Sequence, residues 1–393
     1  MKRRVLIALA TAATLTCGST PVVAQESPLL GRLATLLTEQ RDSGAYVPDP
    51  AAAAATTNTV ASLFLVELGT LPMASSSGGF VYRLRPDLGV FERASSQFGP
   101  FFTERTLNNS RGQASIGFSY QTASFGSLQG ADLRGGTFPT NAARVVGAID
   151  PFSVDTLALK LSSRSITPFA SYGVTDRLSV GGALPIVNAR FSGQRMRTVN
   201  GTATLQSAQS GSATGIGDAV INGRYLVAGT GVRGLSVGSD IRFPTGRQED
   251  LLGTSDVGAR FLAVGSWERG QLALHGNAGG GIGGVSREWF WSTATTYAVA
   301  PRLTLGGEFI GRRLESLNRV SDVYQPHPVL AGVETMRWLP TADGVGTAFI
   351  VTGAKWNIAR SWLVNANMLI RLTDAGLRSR VTPSVSLDYA FER

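Results

Sequence analysis

From Gly215 to Gly280 apolar residues recur at every second position, with polar, charged or glycine residues between them. That is the period of a β-strand whose two faces meet different surroundings. Ile221, Tyr225 and Val227 fall on one face, and Asp218, Asn222 and Arg224 on the other. Leu235, Val237, Ile241 and Phe243 oppose Ser236, Asp240 and Arg242 in the next strand, and Val257, Ala259 and Phe261 oppose Asp256 and Arg260 in the one after. A soluble sandwich would bury the apolar set against a second sheet. Here the two-sided pattern continues hairpin after hairpin to the C-terminus, and the simplest structure is an all-β transmembrane antiparallel up-and-down β-barrel, lipid outside and a polar lumen inside.

The N-terminus fits export. Lys2, Arg3 and Arg4 precede an apolar run from Val5 to Leu15 and a small-residue site at Val22-Val23-Ala24, the three regions of a secretory signal peptide over residues 1–24. The run is short of the roughly 20 apolar residues of a spanning helix. The one cysteine, Cys17, lies inside the signal, behind Thr14-Leu15-Thr16, a poor lipoprotein box. Formal charge falls from +9 to +6 once the three N-terminal cations leave, and the remaining arginines are scattered singly rather than gathered into a patch with stacking aromatics. Nucleic acid is therefore not an expected partner. Export combined with strands points to the outer membrane and its lipid.

Residues 25–77 read as a short N-terminal helical segment. Leu29, Leu30, Leu33, Leu36 and Leu37 make one helical face; a linker with Pro48, Pro50 and an alanine run follows, then a second helix capped by Asn58 and stopped by Pro72. The pair is expected as a periplasmic collar or a plug. Residues 78–112, with weak strands near Phe80 and Phe98, lead into a barrel over 113–391. Tight turns at Val174–Arg177, Ala228–Arg233, Trp267–Gly270 and Ala300–Arg302 alternate with longer connections at Gly126–Phe152, Asn188–Ala213 and Pro244–Thr254. Short turns mark the periplasmic end and long loops the outside. Thirteen strong strand candidates exceed an even number by one. Between the periplasmic turns at Pro301 and Ile358–Arg360 only two crossings fit, so His327–Leu339, bounded by Pro326, Pro328 and Pro340, is assigned to an external excursion. About 12 strands result, or 14 if the segments near Phe80 and Phe98 join.

The spelling GIGD at Gly215–Asp218, FPTG at Phe243–Gly246 and LGT at Leu252–Thr254, each beside a strand, resembles the core of the outer-membrane transporter family named for the MetA-pathway of phenol degradation. Ser255 departs from a position that is often glycine there. The resemblance implies a barrel that admits small, often aromatic or hydrophobic compounds, and it supplies no catalytic residues. The last strand sets Val385, Leu387, Tyr389 and Phe391 on one face and Asp388 on the other, similar to the C-terminal signal read by the barrel-assembly machinery, except that Glu392 and Arg393 follow the aromatic.

In this register Lys160, Asp218, Arg224, Asp240, Arg242, Asp256, Arg260, His275, Asn277, Glu308, Asn365 and Asn367 face the lumen. They serve either as a salt-bridged wall or as a lining that also selects solutes. Gly279, Gly281 and Gly284 spell GxGxxG but precede Arg287–Trp291, a strand start instead of the helix a dinucleotide site needs, so external-loop glycines are the ordinary reading. Trp289 and Trp291 suit an interfacial girdle, as do Trp338 and Trp362. His275 and His327 are the only imidazoles, neither sits in a motif, and no clustered ligand set indicates a metal. The expectation is thus no catalytic, cofactor or metal site, and a passive outer-membrane channel for small hydrophobic solutes; a non-conducting structural, adhesion or sensing barrel is the alternative, and an outer-membrane hydrolase the third.

Overall fold

In the chain's computed structural model, residues 28–41, 49–69, 79, 81–85, 90–106, 109–284, 286–359 and 361–391 are described. The signal region, Pro48, Pro72, Phe80, Arg360 and the terminal Glu392-Arg393 lie outside them. From Ala114 onward each strand pairs antiparallel with the next, and Val381–Ala390 closes the ring by pairing with Ala114–Leu128. The closed wall has 12 strands. Two crossings are interrupted: Leu178–Ala183 continues as Ile186–Val199, and Thr202–Ile216 continues as Ala219–Gly229. Near Phe80 and Phe98 the described residues form a small hairpin, Tyr82–Arg85 with Val90–Arg93, paired with each other and not with a strand of the wall.

Outside the ring the expected apolar set is exposed, with Ile221, Tyr225, Val237, Phe261 and Trp289 at 54%, 45%, 49%, 59% and 58%. In the opposite phase, Ser115, Arg224, Asn277, Glu308, Asn365 and Asp388 are buried inside. Two connections differ from expectation. Asn188–Ala213 is no loop but the Ile186–Val199 and Thr202–Ile216 hairpin, turned at Asn200 and Gly201 with φ of 47° and 84°. His327–Leu339 is no separate excursion: it belongs to an extension in which Leu303–Pro326 and Val333–Ala359 stay paired. Both hairpins rise beyond the apolar band, where strands need no outward grease.

Above that band the alternation changes phase. Leu157, Leu159 and Leu161 are buried inside, while Lys160 and Arg164 stand exposed outside. The apolar inner face is covered by two helices, α1 (Leu29–Thr38) and α2 (Pro50–Gly69). Leu29, Leu33, Leu36, Leu37, Val60 and Leu63 join Phe125, Phe138, Leu159, Phe191 and Leu251 in one core. The helices therefore lie inside the barrel, in the half that carries the long hairpins, termed the outer half. α2 also starts earlier than expected, with Asn58 in mid-helix. Asp49 Oδ1 accepts the amides of Ala51 and Ala52 at 2.9 and 3.2 Å, Pro50 fits a first-turn position, and the alanine run propagates the helix.

Candidate solute passage

The N-terminal chain fills the lumen at two levels. Above, α2 is tied to the wall by Glu67, whose carboxylate meets Arg371 at 2.6 Å and Arg312 at 3.5 Å. All three side chains are under 10% exposed, and each charge would be costly to bury singly. Below, residues 94–106 cross the lumen without helix or strand, and the wall satisfies their backbone. Glu308 accepts the amides of Phe101, Phe102 and Thr103, with Thr103 N at 2.8 Å and Thr103 Oγ1 at 2.9 Å. Lys355 Nζ donates to Pro100 O at 2.6 Å. Arg224 pairs with Glu104, and Glu268 accepts from the hydroxyls of Ser95 and Ser96 at 2.8 and 3.2 Å. Phe98 fits beside Leu363 and Ala390, and Phe101 beside Phe349, Val351 and Leu369.

This filling leaves a cavity on the side away from the Trp362–Arg371 and Val381–Ala390 strands, between Val66, Phe102 and Glu104 of the N-terminal chain and the wall from Phe169 through Val220 and Leu314 to Phe349, with about 1610 Å³ of space including its open mouth. One register row crosses that wall. Asn222 stands opposite Asp240, Asp240 opposite Arg260, Arg260 opposite Gly281, and Gly281 opposite Glu288. Arg260 Nε reaches over the glycine to Glu288 Oε1 at 2.8 Å, and its guanidinium lies 4.0 Å from the centre of the Phe290 ring. A Cβ on Gly281 would sit 2.9 Å from Glu288 and 3.2 Å from Arg260, and one on Gly279 would sit 2.6 Å from Phe290. The GxGxxG spelling thus belongs in large part to a strand, where missing side chains make room for the pair and the ring. The lining carries both charge signs, from Glu104, Asp240, Glu288, Arg242, Arg260 and Arg312, beside aromatic faces.

Of the twelve positions read as lumen-facing, Asp240, Arg242, Arg260 and Asn277 line the cavity. Arg224, Glu308 and Asn277 hold the inner segment; with its nitrogen as donor, the Asn277 amide meets Glu104 O at 2.9 Å and accepts Glu104 N at 2.6 Å. Asp218 is buried and fixes the Pro244–Thr254 connection, accepting Gly246 N at 3.1 Å and Thr254 N at 2.8 Å. Asn365 donates to Asp388 at 2.9 Å, and Asn367 shares its face away from the cavity. Two positions are corrected. Lys160 points outward because the phase inverts at its height, and Asp256 is exposed in the loop before the Gly258–Arg269 strand. Trp338 is also no girdle residue: it stacks on Phe138 at 5.2 Å beneath the helices.

His275 is buried, its Nδ1 2.9 Å from Ser266 Oγ, which already accepts the Thr106 amide at 3.0 Å. A serine and an imidazole are in reach, but among the described residues no carboxylate hydrogen-bonds the ring, and the inner segment covers the pair. His327 Nδ1 accepts the amides of Val329 and Leu330 in the external turn. Sequence reading missed Glu67, Glu104, Glu288, Arg312 and Lys355. Glu67 carried a signal, as a lone acid in an apolar helix that must find a buried partner; Glu104 lies in an aperiodic stretch and carried none.

A closed, even-numbered antiparallel wall with an apolar outer face is that of a bacterial outer-membrane barrel. No family model matches the chain, and no curated protein matches it in sequence. Among solved structures it is similar to the COG4313 outer membrane channel from Pseudomonas putida F1, at 13% identity over 72% of this chain and 96% of that one with a TM-score of 0.46. It is also similar to a Pseudomonas aeruginosa FadL homologue, at 11% identity over 73% and 92% with a TM-score of 0.32, and to the NanC porin, at 8% over 70% and 100% with 0.37. At these values the fold rests on the chain's own strand pairing.

Proposed function

We propose that the protein is a passive diffusion channel of the outer membrane for small hydrophobic or aromatic solutes, the substrate class that the resemblance to the phenol-degradation transporters implies. The observation that carries this reading is the one-sided cavity, lined by Phe102, Phe290 and Phe349 together with charges of both signs. Such a lining stacks a small ring while hydrogen-bonding a hydroxyl, and its balanced charge favours neither anions nor cations strongly. The inner segment narrows the bore, which disfavours large hydrated solutes. No catalytic role is assigned to His275 and Ser266, whose contacts serve the wall and the inner segment. In proteoliposome swelling with the mature protein, phenol-sized solutes are expected to enter faster than disaccharides. A sealed vesicle with folded protein would end the channel reading and leave the barrel as a scaffold.

A further inference from the structure

Directly above the apolar band, the outer face of the Ala114–Leu128, Ser153–Gly173, Ile186–Val199 and Thr202–Ile216 strands turns cationic within one step of the register. Tyr120, Ile166, Ile186 and Ile216 form the top apolar row, 40–51% exposed and side by side through the Tyr120–Ile166, Ile166–Ile186 and Ile186–Ile216 pairs. The next outward residue above Ile166 is Arg164, beside Asn188. One step higher, Ser162 is flanked by Ser124 on one strand and Arg190 on the other, and Lys160 comes next along its own strand. Arg134 reaches the same place from the following connection, with Nη2 2.7 Å from Ser124 Oγ. Diagonal neighbours on one face of a sheet lie about 7–8 Å apart. Lys160, Arg164 and Arg190 therefore surround Ser162, with Arg134 on the remaining side.

These cations differ from those inside the barrel. Arg195 and Arg197 share Asp155, Arg224 has Glu104 and Arg371 has Glu67. Lys160, Arg164 and Arg190 make no ion pair with any described carboxylate. Asp132, two residues before Arg134, accepts the amides of Arg134 and Gly135, both at 2.9 Å, and Asp155 is held inside by Arg195 and Arg197. Ser162, Ser192, Ser210 and Ser212 add hydroxyl donors along the same cleft.

We infer that this cleft binds the phosphorylated headgroup of a glycolipid in the outer leaflet, its acyl chains lying on the Tyr120–Ile216 row below. The height selects the ligand: a phosphate carried at the lipid surface meets the cations while its tails meet the apolar row, and cations near an anionic lipid surface are drawn to it. Serines around the cations bond the remaining phosphate oxygens.

The test is binding of diphosphorylated lipid A to the full mature protein in neutral detergent, followed by native mass spectrometry with folding checked by heat-modifiable mobility. Wild type is expected to retain one lipid A, with retention falling as salt rises. Lys160→Gln/Arg164→Gln/Arg190→Gln is expected to lose at least about tenfold in affinity, while Arg313→Gln, an outward cation elsewhere in the wall, binds as wild type does. Equal binding by the triple variant would overturn the inference. So would salt-independent retention by the wild type, which needs no variant to fold. If pyrophosphate alone competes at equal concentration, the cleft is a soluble-anion site and the lipid assignment fails.

Discussion

The outer and inner halves of the lumen are filled by one N-terminal chain in opposite ways. In the outer half, two helices bury leucines against apolar inward residues such as Phe125, Leu159 and Phe191. In the inner half, an irregular segment has its backbone bonded by Glu308 and Lys355, and by Glu268 at the Ser96 amide. A helix satisfies its own amides and needs only an apolar surface; a coil does not, and in a lumen it needs a wall of donors and acceptors. The difference teaches that the inner face of this barrel is matched, level by level, to what the chain inside presents.

The largest effect is expected from removing the inner anchor. Glu308→Ala leaves the amides of Phe101, Phe102 and Thr103 without their acceptor, at about 1–3 kcal/mol for each group left unpaired. The segment should loosen, and bilayer conductance should rise with new protease sensitivity between residues 94 and 106; unchanged conductance would show the segment is held elsewhere. Leu36→Ala, in the outer core and 0% exposed, should cost about 2–5 kcal/mol through a cavity that cannot refill, read as a lowered melting temperature with conductance little changed. If Leu36→Ala opened the channel instead, the division of labour between the halves would be wrong.

Smaller effects sit at the helix starts. Asp49→Ala removes the α2 cap and the contacts to Thr335 Oγ1 at 2.7 Å and Arg337 at 2.9 Å, with about 1 kcal/mol from the cap, measurable as amide exchange in the first turn. Burial alone would raise the Asp49 pKa, but the bonds from Thr335, Ala52 and Arg337 outweigh it and hold the carboxyl below its usual range. A depressed native pKa means stability present above the ordinary aspartate range, near about pH 4, and lost as the pH falls through the lowered native value. Glu39 is held low by Ser207 and Gln209 in the same sense. Exchange in α1 and α2 should thus quicken on acidification below pH ~4; exchange there that is indifferent to pH would show that Asp49 and Glu39 do not hold the helices in the outer half.

The wall was legible in sequence because a period of two survives wherever its outer face meets lipid, and Ile221, Val237 and Phe261 all fall where that period puts them. Lys160 was misread because the alternation has the same period above the band and the opposite phase, and a period carries no sign. Of the passage, Asp240, Arg242 and Arg260 could be read from strand parity, whereas Glu104 and the irregular segment that narrows the bore could not, having no periodicity. Gly281 was read as loop because its role, passing Arg260 across to Glu288, exists only once three strands are side by side.

The most direct test of a one-sided passage is single-channel current under a charged, water-soluble thiol reagent, in protein carrying Cys17→Ser so that no native cysteine is present. Asn222→Cys lines the cavity, while Asn365→Cys lies buried on the wall away from it. The account predicts that the reagent blocks current through Asn222→Cys and leaves Asn365→Cys unaffected. Block at Asn365→Cys with none at Asn222→Cys would contradict it.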